Sequence, residues 1–387
     1  MQFLFSLQCC SSFAHIAGQS NGTAAAGFAL LEECLTTGQW TPARLDFTGY
    51  CGNCSAPHSE DLRCIWCGHS CPELGQRALS VWRGAAPECA AVLPLERSPG
   101  AFPKGFARPR KLFMVGDSVG QQVSNALRWA SWHSARLSNL LVKDCHLPII
   151  PRLSEGIERT LRTCIEGWNS SHSPPVGHNS VIVVSTGLWY HPTAWCGPAY
   201  MHASPDCRPS VMSAPLNETH PEATIAPKGL PNTRVYSALR RFNGSNLIVD
   251  YERDVLTLAT VLQNWQAKGY TVVWLAPTPQ HFGPFGPFDV AHLQSPLHAR
   301  SEWRPVQPNS SCLKQVPREP QIRNAVSLPI VRAHGIHVVN TWEALRQRGD
   351  MHHGGDCTHW CEPGDVVWFL ASVVLGSWIA SRAGEGQ

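Results

Sequence analysis

The stretch KLFMVGDSVGQQVSNALRW, residues 111 to 129, sets a short apolar run against a helical pattern with only Gly-Asp-Ser between them. KLFMVG (111–116) is apolar at successive positions, as a strand covered on both faces must be, and a helix is predicted over about 119–132. In an open parallel sheet, ligands bind beyond the carboxyl ends of strands, where the next helix presents free N–H groups. Ser118 therefore stands where a nucleophile stands. Gly-Asp-Ser is also an ordinary turn and helix cap, so the tripeptide alone does not decide between the two readings.

The same alternation recurs downstream. SVIVVST (180–186), TVVWLA (271–276) and IHVVN (336–340) read as further buried strands, with helices at about 251–267 and 319–334 and a last one near the end of the chain. In the helix at 251–267, Val255, Leu258, Ala259, Leu262 and Trp265 fall on one stripe and Asp250 is placed to cap it. Repeated β-α units predict an α/β fold, a three-layer parallel sheet. Residues 1–31 read as a possible signal or disordered start, 32–100 as a cysteine-rich, disulfide-tied N-terminal lobe, and 101–387 as the α/β domain. Residues 190–245, rich in Pro, Ser, His and Asn, read as an insertion over one edge.

With 387 residues and 43% hydrophobic content the chain can bury a real core. Its 31 basic and 28 acidic side chains contain no run of like charge, which argues against a nucleic-acid partner. Sixteen Cys and Asn-x-Ser/Thr sequons at Asn21, Asn53, Asn169, Asn217, Asn243 and Asn309 point to an oxidising, secretory compartment. CGNC (51–54) and CIWC (64–67) have a zinc-like array, but the gap of nine residues is short for zinc and the compartment favours disulfides. The N-terminal MQFLFSLQCCSSFAHI lacks a basic n-region and a long apolar core, so it reads as a poor signal peptide or an incomplete start. VVWFLASVVLGSWIAS (366–381) is 16 residues long and holds Gly376 and three Ser. That is short of a membrane span, and a buried helix capped by Asp365 is the better reading, so no membrane anchor is evident.

GGDCTHWCEPGD, residues 354–365, gathers an Asp, a His and two Cys into six positions. A serine hydroxyl becomes a nucleophile when an imidazole takes its proton, and a carboxylate on the other ring nitrogen fixes the tautomer. Asp356 and His359, at i and i+3 in a tight turn, supply both groups to Ser118. The competing readings are a metal site and a structural disulfide knot; Cys357 and Cys361 fit disulfides better than zinc. His352 and His353, like His334 and His337, read as ordinary loop or strand residues unless the fold brings them to the site.

GDSVGQQ (116–122), STGLWYH (185–191), APTPQHF (276–282) and DCTHWCEPG (356–364), in that order, resemble the four signatures of the trichome-birefringence-like polysaccharide O-acetyltransferases, within the PC-esterase and SGNH-like group. VWRGAAPECAAVL (81–93) resembles that family's approach to the first strand, and the likeness runs from about residue 32 to 380. The resemblance implies Ser118 as nucleophile, His359 as general base and then acid, and Asp356 as its orienter. It also implies a disulfide from Cys357 to Cys312 and another from Cys361 to the N-terminal lobe. Gly187 would help form an oxyanion hole with the Ser118 amide, and Trp189 and Trp360 would floor a sugar groove. The chain departs from the family pattern at Gln121-Gln122-Val123 and at Ser185 to Tyr190.

The implied activity is transfer of an acetyl group to a polysaccharide or oligosaccharide hydroxyl in the secretory pathway, in the Golgi lumen or at its membrane, with a secreted protein as the other reading. An acetyl donor serves as co-substrate, with no bound cofactor and no metal. A carbohydrate esterase with the same triad, water replacing the sugar, and a non-catalytic glycan-binding protein are the alternatives.

Overall fold

The computed structural model describes residues 21–43, 79–93, 110–134, 137–146, 154–169, 180–187, 247–281, 312, 314–316, 322–352 and 357–381. Its centre is a five-stranded, wholly parallel sheet built from β3 (Arg110–Gly116), β4 (Leu140–His146), β5 (Ser180–Ser185), β6 (Thr271–Leu275) and β7 (His337–Val339), in the spatial order β4-β3-β5-β6-β7. The four strands read from the sequence are all present. β4, LLVKDCH, is an addition; it lies at the sheet edge and is only half-buried, so it lacks the two-faced apolar run of the others.

Alternate side chains enter separate cores. Leu112, Met114, Val181, Val183, Val273 and Leu275 face α1 (Asn21–Thr36), α3 (Ser118–His133) and α8 (Asp365–Ser381). Phe113, Val115, Ile182, Val184, Val272 and Trp274 face α4 (Ser154–Asn169), α5 (Leu247–Ala267) and α6 (Ile322–Ala333). Helices thus cover both faces, giving three layers. The stripe Val255, Leu258, Ala259, Leu262 and Trp265 of α5 is buried as expected, but α5 begins at Leu247, so Asp250 lies within the first turn and not ahead of it.

The described parts of the N-terminal segment pack directly on this frame. The hairpin of β1 (Gln39–Pro42) and β2 (Ser80–Arg83) is antiparallel, and Trp40 and Trp82 both meet Phe369 of α8 edge-on or tilted. Cys34 of α1 is bonded to Cys89 of α2 (Cys89–Val92). α1 runs straight through residue 31 and is held against α8, with Gly27 close to Ala380. The short α7 (Trp342–Leu345) precedes α8, which is buried along nearly its whole length. Among the described residues no helix is long and apolar enough to cross a membrane.

Asp365 does not cap α8. It is the first helical residue, and its buried carboxylate accepts instead from the Ser80 N–H at 2.8 Å and from Arg348 at 3.0 Å. Burial raises its pKa, and the Arg348 charge opposes that rise. One carboxylate thereby ties β2, the segment before the His359 loop and α8 together. The C-x2-C pairs at 51–54 and 64–67, and the stretch 190–245, lie outside the described residues.

Candidate active site

The chain leaves β3 outward to β4 and returns across it to β5, so the strand order reverses between β3 and β5. At that switch point the carboxyl ends of two neighbouring strands open a crevice. The β3 end carries Gly116-Asp117-Ser118 and the β5 end carries Thr186-Gly187. Gly116 is required there, since a Cβ would run into the Ser185 carbonyl oxygen. The Asp117 N–H donates to that same carbonyl at 3.2 Å, which stitches the turn to β5.

Asp117 is the N-cap of α3: its backbone is extended and its carboxylate accepts the Val119 N–H at 3.2 Å. Ser118 is therefore the first helical residue, with its own N–H in the turn that has no intrahelical acceptor. Its Oγ lies 2.6 Å from Nε2 of His359, 241 positions further on. Ser118 and His359 are both partly exposed, so this contact faces solvent-accessible space. Asp356 and Trp189 lie outside the described residues.

The His359 segment is fastened to three other elements. On one side Cys357 is bonded to Cys312, the pairing the resemblance implies. Cys361 is also in a disulfide, with a partner outside the described residues, so the two cysteines flanking His359 belong to separate bridges. From α3, the buried Gln122 amide donates to the Trp360 carbonyl at 2.8 Å and to Glu362 Oε2 at 3.3 Å, and accepts the Trp360 N–H at 3.2 Å. Gln122 is one helical turn beyond Ser118, so Ser118 and the His359 segment share one anchor. From the residues after β6, the His281 N–H donates to the Cys357 carbonyl at 2.9 Å, and Gln280 donates to Thr358 Oγ1 at 2.9 Å.

Trp360 does not floor an open groove. It is 1% exposed and belongs to the core, with its ring stacked on His352 at 3.9 Å and edge-on to His281. An indole next to a solvent-facing histidine reads as a sugar platform in sequence; the antiparallel bridge between His352 and Trp360 turns it inward.

Gly187 has φ +124, which favours glycine, and a Cβ there would meet Tyr251 Oη at 2.8 Å. Its carbonyl accepts from Arg323 Nη1 at 3.2 Å, and Asn324 donates to the Pro277 carbonyl at 3.1 Å. α6 thus holds the ends of both β5 and β6. The buried Arg323 guanidinium is lowered to about 10 by burial, with Tyr251 and Asp117 opposing, and Tyr251 is pushed up to about 12, mainly by its own burial. The sequence reading missed Gln122, His281, His352, Arg323 and Asn324. Gln122 and His281 had a visible signal, their places in the GDSVGQQ and APTPQHF signatures, but no role followed from it, and His352 reads from sequence only as a loop histidine.

This arrangement sets a hydroxyl against an imidazole at the amino end of a helix, which suits proton removal from the hydroxyl and stabilisation of a nearby oxyanion. Among the described residues no three His, Cys, Asp or Glu side chains cluster as a metal would need. No family model matches the chain, and no curated protein matches it.

Proposed function

We propose that the chain is an O-acetyltransferase of polysaccharide or oligosaccharide hydroxyls, of the SGNH-like, trichome-birefringence-like kind, working through an acetyl-Ser118 intermediate. The single observation that carries the reading is the 2.6 Å contact of Ser118 Oγ with His359 Nε2 at the amino end of α3. In the first half-reaction the Ser118 hydroxyl gives its proton to Nε2 as its oxygen attacks the donor carbonyl. The tetrahedral oxyanion is met by first-turn N–H groups of α3, with the Gly187 backbone as a second contributor. Collapse breaks the bond to the donor's leaving group, which takes the proton from His359. In the second half a sugar hydroxyl gives its proton to His359, attacks the acyl carbon, and releases Ser118 as the proton returns to Oγ. Asp356 is assigned to the other ring nitrogen of His359. The oxidised cysteines of the described chain support a secretory, Golgi-like site of action.

The test is intact mass of the purified protein after brief exposure to an activated acetyl ester, with Ser118→Ala alongside, then a chase in water or with mixed oligosaccharides. An acetyl adduct on the unsubstituted chain alone that survives water and leaves into a sugar is the expected result. Loss to water at the same rate with or without sugar would make the protein an esterase, and no adduct with any activated ester would remove Ser118 from the chemistry.

A further inference from the structure

Beneath the His359 segment lie two histidines that the nucleophile–base contact does not use. His281 and His352 are 0% and 6% exposed, and His281 Nδ1 is 2.7 Å from His352 Nε2. Each outer nitrogen faces a peptide oxygen: His281 Nε2 is 3.1 Å from the Arg346 carbonyl, and His352 Nδ1 is 2.9 Å from the carbonyl of His359 itself.

The hydrogens can be counted. A carbonyl only accepts, so both outer nitrogens must carry hydrogen. A neutral imidazole has one N–H, so two neutral rings satisfying both carbonyls would point bare lone pairs at each other across 2.7 Å. A third proton, between the rings, completes all three hydrogen bonds and gives the pair one positive charge. Burial lowers His281 to about 4, with the Arg346 and Leu345 carbonyls and Asp350 opposing, which makes His281 the neutral member. His352 then holds both of its hydrogens under the stacked face of Trp360, a favourable seat for a cation. Among the described residues, the charged and titratable groups on the elements packed around the pair are Asp350, paired with Arg348; Arg346, paired with Glu343; Asp365, paired with Arg348; Glu362 beyond Trp360; and His359.

We propose that His281 and His352 share one proton and act as a positioning pair, holding the His359 segment in register with Ser118 only while that proton is present. The proposal rests on the reading of His359 as the base. Loss of the proton leaves two N–H groups for the three hydrogen bonds in the line from Arg346 to His359; in the tautomer where His352 turns its one hydrogen to His281, the bond lost is the one to the His359 carbonyl. The disulfide at Cys357 and the Gln122 contact remain, so the segment loosens without unfolding.

The test uses the full chain labelled with 15N-histidine, with signals assigned through His281→Gln and His352→Gln. At neutral pH one ring of the pair is expected to show both nitrogens protonated, and raising the pH should produce one titration that moves both rings and His359 together. Two neutral rings at neutral pH would overturn the shared proton, and a titration that leaves the His359 signals in place would overturn the positioning role. These readouts need no turnover, so a chain that never acylates Ser118 would remove the proposed reaction and leave the pair standing. Where acylation is seen, its rate should fall by between roughly ten- and a hundredfold above that titration, the scale of a misplaced catalytic group. An alkaline fall that persists in His352→Gln would overturn the proposal; loss of the fall, at a reduced rate, is the expected outcome.

Discussion

Gln122 and Trp360, 238 positions apart, meet as amide against peptide: the side-chain carbonyl accepts the Trp360 N–H and the side-chain NH2 donates to the Trp360 carbonyl. The pairing copies one rung of a strand ladder, and it joins the helix that begins at Ser118 to the residue that follows His359.

Gln122→Met keeps the length and removes both bonds, leaving two buried peptide groups without partners. The expected loss of stability is about 1–3 kcal/mol, read by urea denaturation. Because the displaced residue adjoins His359, the acyl-transfer rate should fall more than the apparent affinity for acceptor. An unchanged denaturation midpoint would show that the amide is not a structural tie.

Ser118→Ala and His359→Ala should each lower turnover by roughly three to six orders of magnitude while leaving the thermal midpoint nearly where it was. Both side chains are partly exposed and neither supports a core. Either variant keeping a near-normal rate would end the assignment of roles.

Acid should cost stability through His281. Its folded pKa, about 4, lies below the ordinary 6.5, so the unfolded chain takes up a proton that the fold refuses as pH drops from 6.5 towards 4. The sign is loss of stability on acidification, with a slope of up to about 1.4 kcal/mol per pH unit and a ceiling near 3 kcal/mol. Denaturation curves across that window should be shallower in pH for His281→Gln than for the parent, whatever their absolute midpoints. Equal slopes would mean that His281 is charged in the fold.

The two fully described bridges of the α/β core should separate by function. Removing Cys312–Cys357 or Cys145–Cys164 by paired Ala substitutions should each cost about 2–4 kcal/mol. Only the first is covalently joined to the residues around His359, so only it should also depress acyl transfer at temperatures where both variants stay folded. Equal activities would show that other contacts suffice to hold the segment.

The α/β class was legible because β3, β5 and β6 are apolar on both faces, a pattern that buried parallel strands impose on sequence, and the edge strand β7 keeps Val338-Val339 of it although it is only partly buried. β4 was not, since an edge strand tolerates Lys143 and Asp144 in its middle. The α1 sequence NGTAAAGFALLEECLT sits at the foot of a signal-like stretch, and nothing local announces that it packs against α8. Ser118 and His359 were legible because their chemistry needs particular residue types in tight turns. Gln122 and His281 lie inside the signatures, but their roles, like those of His352 and Arg323, were not legible, because each has a partner 71 to 238 positions away and no periodicity of its own. The inward turn of Trp360 is invisible for a related reason: its peptide group is held by Gln122, 238 positions away, besides the local bridge to His352.

The separation of 241 positions between Ser118 and His359 also has a meaning in time. At about 5–20 residues per second of synthesis, the serine leaves the ribosome roughly ten seconds to a minute before the imidazole that would activate it. Over that interval the nascent chain carries an ordinary alcohol. Gln122, Gln280 and His281, the groups that will receive the histidine segment, are all made before it. A chain halted short of residue 359 would therefore be inert towards acyl donors, and reactivity would begin with docking of the late segment.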